Sequence, residues 1–227
     1  MELIIIIIAI IAIVIIYSMM KMNIKELEKI ALNSELNEIA RKYPENIEIC
    51  RALLEKLGNK TTKIEENENS ESTLYIAIQD KISIGNTHES FTRIQTIAHE
   101  CLHSIQDRKM LIFNFIYSNI YFIYFAIICV LVIIKKLPNE MLYSNIFLIL
   151  SFIYYVVRVF LENDAMIKAH YLAKEYMEQH ANATEEIERV VNGFEQINKG
   201  CIKGTNCSLF VKIMIKLVIF NALALIF

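Results

Sequence analysis

The sequence lacks the cysteine pattern of a disulfide-bonded or redox-active protein. Its five cysteines are odd in number and form no CxxC pair, which fits reduced thiols. The chain also lacks an excess of charge of either sign, because 23 basic and 25 acidic residues give a formal net charge of −2. Without a global basic field, we expect no nucleic-acid partner.

Apolar residues are what the chain has in excess. They make up 55% of the sequence, and the mean hydropathy is +0.40. The apolar residues collect in blocks long enough to cross a bilayer, with the charged residues between them. This distribution excludes an ordinary soluble enzyme and predicts an integral, multi-pass protein of the cell membrane. The lipid bilayer is therefore one expected partner.

Two stretches are clear candidates for membrane insertion. In residues 1–20, the apolar block is preceded by Glu2 rather than by a basic region, and no small-x-small cleavage site follows it. We therefore expect an N-terminal transmembrane anchor that is retained, not a signal peptide. Residues 110–161 contain two apolar blocks joined by the short linker 135–140. This arrangement predicts a transmembrane helical hairpin, which brings the chain back to the side that it left.

The hydrophobic C-terminus, residues 209–227, leaves two alternatives open. Lys212 and Lys216 lie one turn apart within it. It is either a further transmembrane helix with snorkelling lysines or an amphipathic helix in the membrane interface. The chain thus has three or four transmembrane helices. Basic residues near the spans favour a cytoplasmic location for the two larger polar segments, 21–109 and 162–208.

The first polar segment has the patterns of a small α+β structure within a mainly α protein. We expect helices over 23–43 and 45–57, a solvated loop over 59–72, strands over 73–78 and 82–84, and a helix from about 87–90 to about 107. The second polar segment, 162–208, is predicted to be helical.

The last helix of the first polar segment contains an HExxH sequence, His99-Glu100-Cys101-Leu102-His103. Residues four apart lie about 40° apart around a helix and one turn along it, so both imidazoles reach one ion. The glutamate is offset by one residue, where it reaches a water on that ion without being a ligand. This is the geometry of zinc-assisted hydrolysis, with the carboxylate as general base and acid. The alternative is a pair of interfacial histidines on an amphipathic helix.

A catalytic zinc ion needs a third protein ligand and one open position. Glu162 is the best candidate, because it opens the polar segment that follows the hairpin and is predicted to begin a new helix there. Alternatively, Glu162 forms an i,i+4 salt bridge with Arg158. Asp164 is the fallback ligand, or an acceptor that orients an imidazole. His170 and Tyr171 are weaker candidates for hydrogen bonding to a reaction oxyanion.

Two stretches resemble one known family. Ala98-His99-Glu100-Cys101-Leu102-His103-Ser104-Ile105-Gln106 resembles the AHExxHxxQ helix of the bacterial membrane-bound neutral zinc metallopeptidases of the YugP type. Glu162-x-Asp164-Ala165, followed by Ala169, is similar to that family's ExDAxxxA segment. The order of anchor, polar segment, HExxH helix, hairpin, glutamate helix and hydrophobic C-terminus is similar over nearly the whole chain. The chain departs from the family at Leu102, where members commonly have a small residue.

The resemblance implies a function and a set of site residues. It implies a zincin-like catalytic part with one zinc ion per chain, held by His99, His103 and Glu162, and with Glu100 as the catalytic acid and base. The expected substrates are peptides or proteins. Membrane proteins in quality control are candidates for a separate reason: His103 lies only seven residues before Met110, where the next apolar block begins, so we expect the metal to lie close to the bilayer surface. The alternative function is a catalytically inactive membrane scaffold that keeps zinc structurally. A purely structural zinc site, however, has no need of Glu100.

Overall fold

The structure is a computed structural model that describes residues 1–20, 22–180 and 183–227. Lys21, which begins the predicted segment 21–109, and Ala181 and Asn182, within the predicted segment 162–208, lie outside the described residues. The described elements follow in the order α1 (Glu2–Met20), α2 (Ile24–Ala31), α3 (Ser34–Arg41), α4 (Asn46–Lys56), β1 (Lys63–Asn67), β2 (Leu74–Ile76), β3 (Lys81–Gly85), α5 (Arg93–His103), α6 (Arg108–Ile133), α7 (Glu140–His180) and α8 (Thr184–Ile226). The fold is thus mainly α with one small sheet, as predicted.

The chain divides into two compact units. Unit 1 comprises Met1–Lys21, Phe113–Phe160 and Lys203–Phe227, and unit 2 comprises Met22–Ile112 and Leu161–Ile202. The apolar blocks of the sequence therefore fall mainly in unit 1, and the polar segments fall mainly in unit 2. Unit 2 contains the HExxH sequence and Glu162, so every predicted site residue belongs to a single unit.

Four helices of the described residues are long and apolar enough to cross a membrane: α1, α6, α7 and α8. Within unit 1, residues of these helices form one buried apolar cluster, which includes Tyr121, Phe147 and Phe220. The ambiguous block 209–227 is not a short separate helix, because it forms the end of the 43-residue α8. By its length and composition, α8 meets the requirement for a membrane span as the other three helices do.

Two polar residues of the C-terminal block, Lys216 and Asn221, have partners in unit 1. The Nζ atom of Lys216 lies over the ring of Tyr121, 4.5 Å from its centre, and 5.8 Å from the centre of the Phe125 ring. Such cation–π contacts stabilise a lysine in apolar surroundings. The side-chain amide of the buried Asn221 donates a hydrogen bond to the Ser144 hydroxyl at 3.1 Å. These contacts explain how polar residues fit into the apolar end of α8.

The predicted start of a new helix at Glu162 is wrong. Helix α7 runs without a break from Glu140 to His180, so Glu162 lies in its interior. Composition changes from apolar to polar near this residue, but the helix contains neither glycine nor proline to interrupt its hydrogen bonding. The change in composition marks a change in the surroundings of the helix, and not the end of the helix.

The predicted helix over 23–43 is instead two helices, α2 and α3. The side chain of Asn33 accepts hydrogen bonds from the backbone N–H groups of Glu35 and Leu36 and so caps the start of α3. An asparagine inside an apolar period is a local signal for such a break. Helix α4 agrees with the predicted helix over 45–57 to within one residue at each end.

The sheet of unit 2 has the strand order β1-β3-β2, with β1 parallel and β2 antiparallel to the central β3. Strand β1 lies where the sequence predicted only a solvated loop over 59–72, so that prediction is wrong. Most of β1 is exposed, including Glu65 and Glu66. Charged residues are common on edge strands, where they discourage pairing with another chain. Because most of its residues are exposed, β1 lacks the alternation of apolar and polar residues from which strands are predicted.

Helix α5 is shorter at both ends than the predicted helix from about 87–90 to about 107. Its apolar side packs into the core of unit 2 together with residues of α4, α7 and α8. Cys101 belongs to this core, where its Sγ atom lies 3.7 Å from the Sγ atom of Cys50. The cysteine inside the HExxH sequence is therefore a packing residue.

Arg93, the first residue of α5, is a buried cation that is only 1% exposed. Its guanidinium group donates hydrogen bonds of 2.7–2.9 Å to the carbonyl oxygens of Ala40, Tyr43 and Pro44 and to the Asn46 side chain. The carbonyls lie at the end of α3 and in the turn after it, where helix carbonyls have no partner within the helix. Arg93 therefore fixes the start of α5 against the turn between α3 and α4.

We predict that Arg93→Met destabilises unit 2 by about 3–5 kcal/mol, because buried acceptors lose a charged donor and methionine offers none. The measurement is amide hydrogen exchange of α3, α4 and α5 in the detergent-purified protein. The matched control is Arg51→Met, since Arg51 lies exposed on α4. Equal exchange protection in the Arg93→Met and control proteins would contradict this role.

Candidate metal centre

Three potential metal ligands meet in unit 2: His99 and His103 from α5 and Glu162 from α7. The sequence predicted this set, and the structure brings all three side chains together. The Nε2 atoms of the two histidines lie 3.0 Å apart. The Oε2 atom of Glu162 lies 3.5 Å from Nε2 of His99 and 3.7 Å from Nε2 of His103.

This triangle of donor atoms has the dimensions of a tetrahedral site. Ligand atoms that bind an ion at about 2.0–2.2 Å with tetrahedral angles lie about 3.3–3.6 Å from one another. The observed separations of 3.0, 3.5 and 3.7 Å surround that range. Two imidazoles and one carboxylate also leave a fourth position open. The cluster can therefore bind a metal ion.

The electrostatic surroundings of the cluster favour positive charge. The side chains of His99, His103 and Glu162 are only 17%, 11% and 12% exposed. Burial by itself lowers the pKa of His103, but hydrogen bonding to Glu162 and the nearby Glu100 carboxylate outweigh burial, so the pKa of His103 is raised. Two carboxylates that favour the charged form of an imidazole would also attract a metal cation.

Gln106 orients the ring of His103. The Oε1 atom of Gln106 lies 2.8 Å from Nδ1 of His103, and its Nε2 atom donates to the carbonyl of Leu161 at 2.9 Å and to Oδ2 of Asp164 at 3.1 Å. Because an amide oxygen only accepts hydrogen bonds, Nδ1 of His103 carries the proton and Nε2 is free to bind a metal. Asp164 thus acts on the imidazole through Gln106, whereas the sequence suggested a ligand or a direct acceptor.

Glu100 lies beside the three ligands. Its Oε1 atom is 3.9 Å from Nε2 of His99, and its Oε2 atom accepts a hydrogen bond of 2.6 Å from the backbone N–H of Tyr75. Tyr75 is the middle residue of the edge strand β2, and its hydroxyl donates to Asp80 at 3.1 Å. Burial raises the pKa of Glu100, although His99 and His103 oppose that shift. The contact with Tyr75 could not be predicted from the sequence, because it is made by a backbone N–H group, which is independent of the type of side chain.

His170 and Tyr171, the candidates for oxyanion binding, lie farther along α7. They follow Glu162 by eight and nine residues. At a rise of about 1.5 Å per residue, their backbone lies about 12 Å or more from that of Glu162 along the helix axis. The His170 ring packs edge-on against the Tyr171 ring, with 5.3 Å between the centres. Their role in oxyanion binding stays a prediction.

Comparisons of the chain with models of protein families, with curated proteins and with solved structures found no match. The resemblance to the membrane-bound neutral zinc metallopeptidases therefore stays a prediction based on two short stretches of sequence. A functional assignment has to be argued from the geometry of the site itself.

We predict that Gln106→Ala weakens zinc binding by about 10–100-fold, because the His103 ring loses the acceptor that fixes its tautomer and orientation. Competition with a chromophoric chelator would measure the zinc affinity of the purified protein. The matched control is Gln179→Ala, since Gln179 lies exposed near the end of α7. Zinc affinity equal to that of the control would show that Gln106 does not support the site.

Proposed function

We propose that the protein is an integral membrane zinc metallopeptidase that hydrolyses peptide bonds in peptide or protein substrates. The observation that carries this proposal is the buried His99–His103–Glu162 triangle with a fourth acidic group, Glu100, beside it. A structural zinc site is usually closed by four protein ligands, whereas three ligands with an open position are typical of catalysis.

Zinc is the proposed metal, with one ion per chain. Imidazole nitrogens together with one carboxylate suit zinc, while calcium and magnesium prefer oxygen ligands alone. His99, His103 and Glu162 would hold the ion. When bound there, zinc supplies a water of lowered pKa and polarises a substrate carbonyl.

Glu100 is the proposed general base and acid. One of its carboxylate oxygens faces the cluster, and the other is held by the Tyr75 N–H group at 2.6 Å. The raised pKa of Glu100, which burial causes, brings its proton affinity closer to that needed for transfer near neutral pH. Glu100 would take a proton from the attacking water and deliver it to the nitrogen of the leaving amine.

We also propose that α1, α6, α7 and α8 span the cell membrane and that unit 2 is cytoplasmic. All four helices have the length and apolar composition of membrane spans. Helix α1 exposes large apolar side chains, among them Ile4, Ile8 and Ile15, which lipid would cover. The cytoplasmic assignment follows from the basic residues near the spans.

The proposed substrates are membrane proteins, or unfolded segments close to a membrane, as in quality control. Support for this proposal comes from helix α7, in which Glu162 continues directly from an apolar stretch. A comparison of membrane proteomes with and without the active protein would test it. Accumulation of membrane-linked fragments or substrates is expected, and changes limited to soluble proteins would contradict this part of the proposal.

The central prediction concerns detergent-purified protein assayed for metal content and for cleavage of casein. Wild type should contain one zinc ion per chain. Glu100→Gln should keep its zinc and lose about 10²–10⁴-fold in hydrolysis, because it loses the group that transfers protons. Glu162→Ala should bind zinc more weakly, because a ligand is removed. The matched control is Glu185→Gln, an exposed residue of α8 that should behave as wild type.

Two results would contradict the proposed activity in different ways. Zinc in the wild type without any hydrolysis would favour the alternative, an inactive scaffold that keeps zinc structurally. A wild-type protein that binds no zinc would contradict both functions, since each depends on the cluster.

A further inference from the structure

A cavity of about 210 Å³ that opens to the protein surface lies next to the metal cluster in unit 2. Three helices line it: α5, α7 and α8. His99 is part of both the cluster and the cavity wall. On α7, Met166 and Ala169 lie about one and two turns after Glu162 and line the cavity. The helix faces that present the candidate ligands therefore continue into this cavity.

The wall of the cavity has an uncharged character. Its apolar part consists of Met166, Ala169 and Ile197, and the thiol of Cys201 is also present. None of the lining residues is Asp, Glu, Lys or Arg. A charged group placed in this cavity would lose water without gaining a counter-ion among the described lining residues, which is unfavourable.

The polar lining groups are largely occupied by contacts within the protein. The hydroxyl of Thr96 donates to the carbonyl of Thr92 at 3.0 Å, and the amide of Asn198 donates to the carbonyl of Met166 at 3.0 Å. Both hydrogen bonds join backbone carbonyls of the same helices that form the wall. The side chains of Thr92 and Gln95 also line the cavity, but most of its exposed wall is apolar, so the cavity is better suited to an apolar ligand.

The volume of the cavity indicates which side chains fit into it. An apolar cavity of about 150 Å³ in a protein interior is large enough to hold benzene. A volume of about 210 Å³ therefore has room for a side chain of the size of leucine, methionine or phenylalanine.

We propose that this cavity binds one uncharged, apolar side chain of the substrate next to the bond that is cut, and so determines the cleavage preference. The inference rests on the proposed function, because it requires a peptide to lie across the metal cluster. Met166 and Cys201 are then specificity-determining residues: the first limits the size of the side chain on the α7 wall, and the second does so on the α8 wall.

The first test is a cleavage profile on a peptide library made from a digested proteome. Wild type should select Leu, Met or Phe at one position beside the cut bond and exclude Asp, Glu, Lys and Arg. Met166→Ala enlarges the cavity and should raise the ratio of Phe to Ala at that position by about 10-fold, whereas Cys201→Phe should lower it similarly. The matched control is Ile167→Ala, an exposed neighbour on α7 that should keep the wild-type profile.

The second test does not depend on hydrolysis. Cys201 is exposed enough to react, so its alkylation by iodoacetamide can be followed by mass spectrometry in the Glu100→Gln protein. N-acetyl-leucinamide, added at increasing concentration, should slow this alkylation at least about 3-fold at saturation. The charged N-acetyl-aspartate amide at the same concentrations should leave the rate unchanged.

The two tests separate failure of the cavity proposal from failure of the peptidase proposal. Protection of Cys201 by the leucine compound, with no peptide cleaved by wild type, would retain the apolar binding site and reject the peptidase. Active cleavage with the same profile in wild type and Met166→Ala, or absence of protection by the leucine compound, would overturn the cavity proposal.

Discussion

The hydrogen bonds of the Gln106 side chain hold together the two helices that provide the candidate ligands. Its amide oxygen meets His103 on α5, while its amide nitrogen reaches the carbonyl of Leu161, the residue directly before Glu162 on α7. One planar group thus relates the position of a ligand on one helix to that of a ligand on the other. Ion binding tolerates errors of only a few tenths of an ångström in ligand distances, so the site depends on this link.

Small residues of α7 lie in the core of unit 2. Ala165, Ala169 and Ala173 recur every fourth residue and are completely or almost completely buried in the core of unit 2. The distance between packed helices depends on the size of the side chains between them, and alanine allows a short one. These alanines include two from the ExDAxxxA stretch, which gives that part of the resemblance a packing reason.

Local periodicity explains most of what could be predicted from the sequence. His99 and His103 share one face of α5 whatever surrounds the helix, and length and composition alone indicate three blocks long enough to span a membrane, whereas they left two alternatives open for the C-terminal block. Several of the features that escaped prediction depend on contacts between distant segments. Strand β1 forms only because β3 offers a partner, and the Tyr75 backbone meets Glu100 only because β2 lies beside α5. Gln106 stood in the predicted motif, but its connection to Leu161 required the three-dimensional structure.

Arg93 shows why the start of α5 has to be understood together with the turn between α3 and α4. The sequence presents it as one of many charged residues near a helix start. In the fold, its guanidinium group takes the place of water as the hydrogen-bond donor to the carbonyls of Ala40 and Tyr43. This role depends on burial, and the pattern of charges along the sequence does not indicate it. The role of a residue is therefore harder to predict from the sequence when its contacts come from distant segments of the chain.

The division of unit 2 into two pieces of sequence also affects how the protein is made. Residues 113–160 belong to unit 1 and separate Met22–Ile112 from Leu161–Ile202. During synthesis, His103 is added before Glu162, and the interval between them corresponds to about 3–12 seconds at about 5–20 residues per second. The nascent chain consequently has both histidines but no complete cluster until the intervening helices have been translated. Assembly of the metal centre is thus delayed until most of unit 1 exists.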